Sequence, residues 1–337
     1  MLKAAPGRTI APHMRRFRLS PWAYRRITLL ALLALAFIIV TGGAVRLTGS
    51  GLGCPDWPTC AGGRIVAERS FHPMVEFVNR AITGVVSVAV ILAVLGSVIR
   101  RPRRRDLILL STGLVVGIVA QIVLGGETVK HDLAPPYVMG HFLLSLLLVW
   151  DATVLHHRAG EDAEPGPASP GGPGGPRRPV VPPDLLVMAR LIVVSAALAI
   201  FLGTVVTGAG PHAGDPTAKR LDLDVADVAR FHGISVMLLL AITVVTLWRL
   251  RRVGAPPDAV RRGNVLLATL VAQAAIGYTQ YFAGVPALLV GIHIAGATAV
   301  WVAALEFNLG LVRRVGTGPP SPGTAGDTGA PAYARAW

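Results

Sequence analysis

Residues 27–45 read ITLLALLALAFIIVTGGAV, nineteen positions without a charged side chain. A helix that crosses a bilayer needs about 20 consecutive apolar residues, so this stretch alone predicts a membrane span. Seven further predominantly apolar runs follow, at 74–99, 107–126, 136–155, 185–208, 226–248, 264–282 and 286–309. Together they predict an all-α integral membrane protein with eight transmembrane helices.

Composition and charge agree with that fold class. The 337 residues are 53% hydrophobic and 15% charged, with a mean hydropathy of +0.58, which is too apolar for a soluble domain. Of the 32 Lys and Arg residues, 23 lie in the segments that face the cytoplasm if the N-terminus is inside, and six lie in the outer loops. This positive-inside pattern predicts cytoplasmic termini and a multi-pass protein of a bacterial cytoplasmic membrane. It also explains the net charge of +14 without nucleic acid, so membrane lipid is the expected partner.

The chain repeats itself at an offset of about 152 residues. Matching positions are Gln121 and Gln273, Gly125 and Gly277, His141 and His293, and Asn79 and His232. Val40-Thr41-Gly42 recurs as Val206-Thr207-Gly208 at an offset of 166, because the first outer loop is longer. Because each repeat holds four helices, both halves share one orientation and should form two pseudo-symmetric four-helix bundles around an axis along the membrane normal.

The repeat also sets the predicted domain boundaries. They are a basic cytoplasmic N-terminus at 1–26, an N-terminal half at 27–159, a flexible Pro/Gly-rich cytoplasmic linker at 160–183, a C-terminal half at 184–312 and a disordered cytoplasmic tail at 313–337. Linkers and tails rich in Pro and Gly cannot bury a core.

Polar residues inside the spans form one layer. Counted at 1.5 Å per residue from the outer helix ends, Asn79, His141, His232 and His293 lie about 7–11 Å deep. Two imidazoles at equal depth on neighbouring helices of a bundle can ligate one haem iron from opposite faces, which is the prediction for His232 and His293. The alternative for each histidine is a hydrogen bond to a neighbouring carbonyl. Zinc is disfavoured because no third ligand shares the layer in the second half.

The first half differs from the second at one position of this layer. His141 is paired with Asn79, whose amide binds iron poorly, so a haem held there is expected to keep one axial position open. Glu76 shares a helical face with Asn79 and Arg80 and is a candidate for proton transfer. An ion pair with Arg80 is its alternative role. His72 is expected at the rim of the site and only weakly as a substitute ligand.

Two cysteines lie in the first outer loop as Cys54 and Cys60 of CPDWPTC. This loop is on the oxidising side of the membrane, so a disulfide is expected. Arg46, at the outer end of the first span, is expected either to meet a haem propionate or to act as an interfacial anchor.

Three features resemble haem A synthases, the integral membrane enzymes that oxidise the C8 methyl group of haem O to the formyl group of haem A. They are TGGAVRLTGSGLGCPDWPTC at 41–60, EFVNR at 76–80 and the layer of candidate ligands. The resemblance spans residues 27–310, and Asn79 departs from it because better-known members carry histidine there.

The resemblance implies roles for the residues of both halves. A haem b cofactor would be ligated by His232 and His293, and substrate haem O by His141. The implied substrate pocket contains Asn79, Arg80 and Arg46, with Glu76 as the essential acid and a Cys54–Cys60 disulfide. Implied partners are the farnesyltransferase that produces haem O and an electron acceptor or donor. Self-association into a homo-oligomer is left open.

Two other functions compete with this interpretation. A b-type cytochrome that only carries electrons needs two well-ligated haems, and Asn79 argues against the second. A duplicated transporter would place its polar layer near the midplane, whereas this layer lies near the outer surface.

Overall fold

The computed structural model describes residues 18–162 and 176–314, most of which lie in eight α-helices. The helices are α1 Pro21–Leu47, α2 Phe71–Ile99, α3 Arg105–Lys130, α4 Pro135–Gly160, α5 Pro183–Ala209, α6 Val225–Arg252, α7 Pro257–Phe282 and α8 Ala287–Leu309. All eight are long and apolar enough to cross a membrane. The predicted all-α membrane fold with eight spans is confirmed.

Local sequence explains where the helices begin. The Ser20 side chain accepts a hydrogen bond from the Ala23 amide at the start of α1, and Asp224 does the same for Asp227 in α6, as N-cap residues do. Four helices, α1, α4, α5 and α7, have proline in their first turn, where its missing N–H costs nothing. The largest difference between a predicted and an observed helix boundary is at the start of α7. Its first two turns are polar, so a search for apolar runs does not include them.

Each half is a closed ring of four helices. In the first half α1 contacts α2 and α4, and α3 contacts the same two helices; in the second half α5 and α7 each contact α6 and α8. The halves meet where α8 packs against α1 and α4, and where α4 packs against α5. The same pairs therefore pack in both halves, while the two-fold axis and the cytoplasmic location of the termini stay predictions.

The outer turns of the two halves share a backbone feature. Leu133, between α3 and α4, has φ 58°, and Val285, between α7 and α8, has φ 60°. Both are non-glycine residues in the left-handed region, an uncommon state that surrounding contacts must stabilise. They lie at the repeat offset of 152, so the repeat extends to loop conformation.

Two short strands differ from the predicted linker and tail. Strand β1, Arg177–Pro179, pairs antiparallel with β2, Val312–Arg314, and Glu161 accepts hydrogen bonds or ion pairs from Arg177 and Arg314. These contacts with Glu161 hold β1 and β2 in place, whereas the Pro/Gly content predicted a flexible linker and a disordered tail. Residues 163–175 of the linker and 315–337 of the tail lie outside the described residues.

Candidate functional site

The second half brings His232 and His293 together. His232 lies on α6 and His293 on α8, and their ring centroids are 6.3 Å apart with ring planes at 78°. Nδ1 of His232 is 2.9 Å from the Ala199 carbonyl oxygen on α5. A ring that donates Nδ1–H to a carbonyl keeps Nε2 available as a ligand.

This spacing fits a single metal ion between the rings. A metal ligated by two imidazoles lies about 2 Å from each nitrogen and so about 3 Å from each ring centre, which requires centres about 6 Å apart. The carbonyl bond predicted as an alternative role for His232 is present, and it is also the bond that orients a ligating ring. Among the described residues no three His, Cys, Asp or Glu side chains converge on one point, which favours an axial pair over a zinc site.

Each of the three histidines lies against a glycine of the preceding helix. A Cβ added to the glycine would lie 3.3 Å from His232 Cε1 at Gly203, 3.0 Å from His293 Cε1 at Gly277 and 3.2 Å from His141 Cε1 at Gly125. A Cβ at these separations would be in tight contact with the ring, so any larger residue would require the imidazole to shift. From the sequence, Gly125 and Gly277 were recognised only as matching positions of the repeat. Their packing against the rings could have been inferred, because Gly125 precedes His141 by the same number of residues as Gly277 precedes His293.

Glutamines fix the backbone that carries two of these histidines. Gln121 Nε2 donates to the His141 carbonyl at 3.0 Å, and its repeat match Gln273 donates to the His293 carbonyl at 2.8 Å. The Gln273 amide is also 3.0 Å from His293 Nδ1. The repeated glutamine thus holds α3 to α4 and α7 to α8 at ligand depth.

In the first half the layer contains one imidazole and one amide. His141 lies on α4 and Asn79 on α2, opposite helices of the ring, as α6 and α8 are in the second half. His141 Nδ1 is buried and has no hydrogen-bond partner among the described residues. Asn79 Oδ1 accepts a hydrogen bond of 2.8 Å from the Thr41 hydroxyl on α1. An amide has no lone pair on nitrogen for a metal, so His141 is the one strong ligand of this pair.

Glu76 is buried, with 5% of its surface exposed, and both carboxylate oxygens are in use. Oε2 accepts from the Cys54 amide at 2.7 Å, and Oε1 accepts two hydrogen bonds from Arg80. The ion pair that sequence analysis gave as the alternative role is therefore present. A catalytic role for Glu76 stays a prediction.

Arg80 ties the first outer loop to α2. Its guanidinium donates to the carbonyls of Cys54 at 2.8 Å, Asp56 at 3.1 Å and Thr59 at 2.8 Å. The loop is closed by the predicted Cys54–Cys60 disulfide. Loop carbonyls have no helical partner, and the partly buried guanidinium of Arg80 satisfies three of them; Arg80 is a loop anchor.

The same loop packs on the outer ends of α2 and α3. A Cβ at Gly53 would lie 2.4 Å from the His72 carbonyl oxygen, so the backbones approach closely there. His72 Nδ1 is 3.0 Å from Ser50 Oγ, which keeps this ring at the rim, and Trp57 lies against Gly126. The loop therefore covers the end of the first half at which α2 begins and α3 ends.

The Arg46 guanidinium makes two hydrogen bonds that were not predicted from the sequence. It donates to the Thr207 carbonyl at 2.7 Å and to the His212 carbonyl, both in the second half. Carbonyls at the end of a helix lack partners within it, and α5 ends at this point, so the guanidinium satisfies them. Arg46 therefore joins the two halves, and its contact with a haem propionate stays a prediction.

Fold and site together define a multi-pass helical membrane protein in which the rings of His232 and His293 lie close enough to ligate one metal ion. A family model described as cytochrome oxidase assembly protein, COX15-CtaA, matches residues 25–72 and 63–214, more than half of the chain. The chain belongs to the COX15-CtaA family.

Relatives named haem A synthase share part or most of the chain. The protein from Exiguobacterium sibiricum is 29% identical over 137 residues, 39% of this chain and 46% of the relative. That from Lysinibacillus sphaericus is 30% identical over 118 residues, 35% and 38% of the two chains. That from Halalkalibacterium halodurans is 24% identical over 261 residues, 77% and 85%. The alignment spans less than half the length of the first two relatives. The resemblance to haem A synthases is confirmed, and the spans and bacterial relatives make this a multi-pass protein of a bacterial cell membrane.

Proposed function

We propose that the chain is a haem A synthase, an oxidoreductase that converts the C8 methyl group of haem O into the formyl group of haem A. One observation carries the proposal: the two halves share helix pairing, glutamines and glycines, yet one offers two imidazoles and the other offers one. Two strong ligands suit a resident cofactor, whereas a single one suits a haem that must be altered and released.

The second half would hold haem b through His232 and His293. When bound, this group supplies one-electron redox chemistry. The protein's contribution is to position both rings: the Ala199 carbonyl orients His232, Gln273 donates to the backbone carbonyl of His293 and so fixes the helix that carries it, and the facing glycines leave room for the rings.

The first half would bind haem O through His141 beneath the disulfide loop. Two successive hydroxylations of the methyl group give a gem-diol, which loses water to form the aldehyde. Each hydroxylation inserts one oxygen atom, either from water, with two electrons passed to an external acceptor, or from dioxygen, with two electrons taken from an external donor and the second oxygen atom released as water. Glu76 is the candidate for proton exchange. The hydrogen bonds from Cys54 and Arg80 fix the orientation of its carboxylate.

Pigment analysis separates this function from the two alternatives. Membranes containing the wild-type protein should show a b-type spectrum, which a transporter would lack, and should convert co-produced haem O into haem A, which an electron carrier would not. His232→Ala should remove the b-type spectrum. His131→Ala is the matched control, because His131 is an exposed ring stacked on Tyr137 outside the ligand layer. An unchanged spectrum in His232→Ala would overturn the cofactor assignment.

A further inference from the structure

Asn79 and His232 occupy equivalent positions but are held differently. His232 is fixed through Nδ1 by a backbone carbonyl, which leaves its second nitrogen free. Asn79 is fixed through Oδ1 by the Thr41 hydroxyl at 2.8 Å, which leaves its NH₂ group free to donate. The first half therefore presents a hydrogen-bond donor where the second half presents a metal ligand.

A cleft between α1 and α2 leads to this donor. It has a volume of about 280 Å³, and its only polar side chains are Thr41 and Asn79; the rest are apolar, among them Met74 and Ile82. Its rim residue Val78 is 47% exposed. A single water needs only about 10–15 Å³ of such volume, so the cleft admits a small molecule and is far too small for a second haem.

We propose that the Thr41–Asn79 pair and this cleft form a binding site for a small neutral ligand of the dioxygen or carbon monoxide type, on the side of the substrate haem opposite His141. The proposal rests on the proposed function, which places haem O at His141. An apolar cleft favours entry of a neutral diatomic molecule over an ion. The amide then donates to the ligand once it is bound, as polar groups do on the open side of a haem.

Carbon monoxide binding to the purified, reduced protein loaded with haem O tests the proposal. The wild type should give a carbon monoxide difference spectrum that depends on His141. Asn79→His should remove at least nine-tenths of that signal and convert the first haem to a six-coordinate, low-spin form, because it adds the ligand that His232 supplies in the other half. Asn79→Leu should still bind carbon monoxide but release it several-fold faster, because the donor is lost.

The repeat offers a matched control. Thr207 is the counterpart of Thr41 and bonds the Gly203 carbonyl, so Thr207→Val should leave carbon monoxide binding unchanged while Thr41→Val accelerates release. No carbon monoxide signal in a wild-type protein that shows the His141-dependent haem would overturn the site, and so would full binding by Asn79→His. Failure of the proposed function gives a different result. A protein that binds carbon monoxide but forms no haem A would support the ligand site and contradict the haem A synthase activity.

Discussion

Replacing Arg80 with alanine should release the first outer loop from α2. Arg80 supplies the donors for three loop carbonyls, those of Cys54, Asp56 and Thr59, and it pairs with Glu76. The Cys54–Cys60 disulfide closes the loop on itself but does not join it to a helix. Without Arg80, attachment depends on the Cys54 amide, the contact between Ser50 and His72, the hydrogen bond from the Gly51 amide to the Gly214 carbonyl and packing.

The size of the effect follows from the contacts. A hydrogen bond from a charged donor contributes about 1.5–3 kcal/mol when buried, and the Arg80 side chain is 24% exposed, so about 1 kcal/mol for each carbonyl is appropriate after screening. Three such bonds give about 3 kcal/mol, or about 100-fold in the equilibrium between attached and detached loop.

Hydrogen exchange measures this equilibrium. In protein held in detergent or lipid discs, amide exchange in loop residues 50–64 should accelerate by about two orders of magnitude in Arg80→Ala. Arg80→Lys should recover little, because a single ammonium cannot reach three carbonyls. Arg64→Ala is the control, since Arg64 pairs with Glu68 on the same loop with both side chains more than half exposed. Equal exchange in Arg80→Ala and the wild type would refute the anchoring role.

Two further predictions concern the imidazole ring of His293 and the ion pairs of Glu161 beside strands β1 and β2. Gly277→Leu should abolish or strongly shift the b-type spectrum, because a side chain there collides with His293; Gly233→Ala, with open space around it, should leave the spectrum unchanged. Burial opposes ionisation of Glu161, but the hydrogen bond and charge of Arg177 outweigh it and lower its pKa. Its contribution to stability is therefore complete above about pH 5 and is lost as pH falls below about 4. Melting temperatures should show this loss, and Glu161→Gln should reduce it.

The spans were predictable because bilayer thickness sets their length and hydrocarbon sets their composition. The same length rule failed at α7, whose first turns are polar and extend beyond any apolar run. Strand β1 was not predicted, because ion pairs with residues remote in the sequence hold it in place. Amino-acid composition alone does not reveal such contacts.

The site was predictable in depth but not in lateral contacts. The constant rise of a helix places His232 and His293 in one layer, and the outer location of Cys54 and Cys60 predicts their disulfide. Which neighbour each side chain meets depends on how helices rotate against one another. Thr41 as the partner of Asn79, and Arg46 as a link between halves, needed the packed structure.

The most direct test of the proposed activity is pigment extraction from cells that make haem O and express this chain. Chromatography should show haem A in the wild type, and haem O without haem A in His141→Ala. A wild-type protein with an intact b-type spectrum, abundant haem O and no haem A would contradict the account.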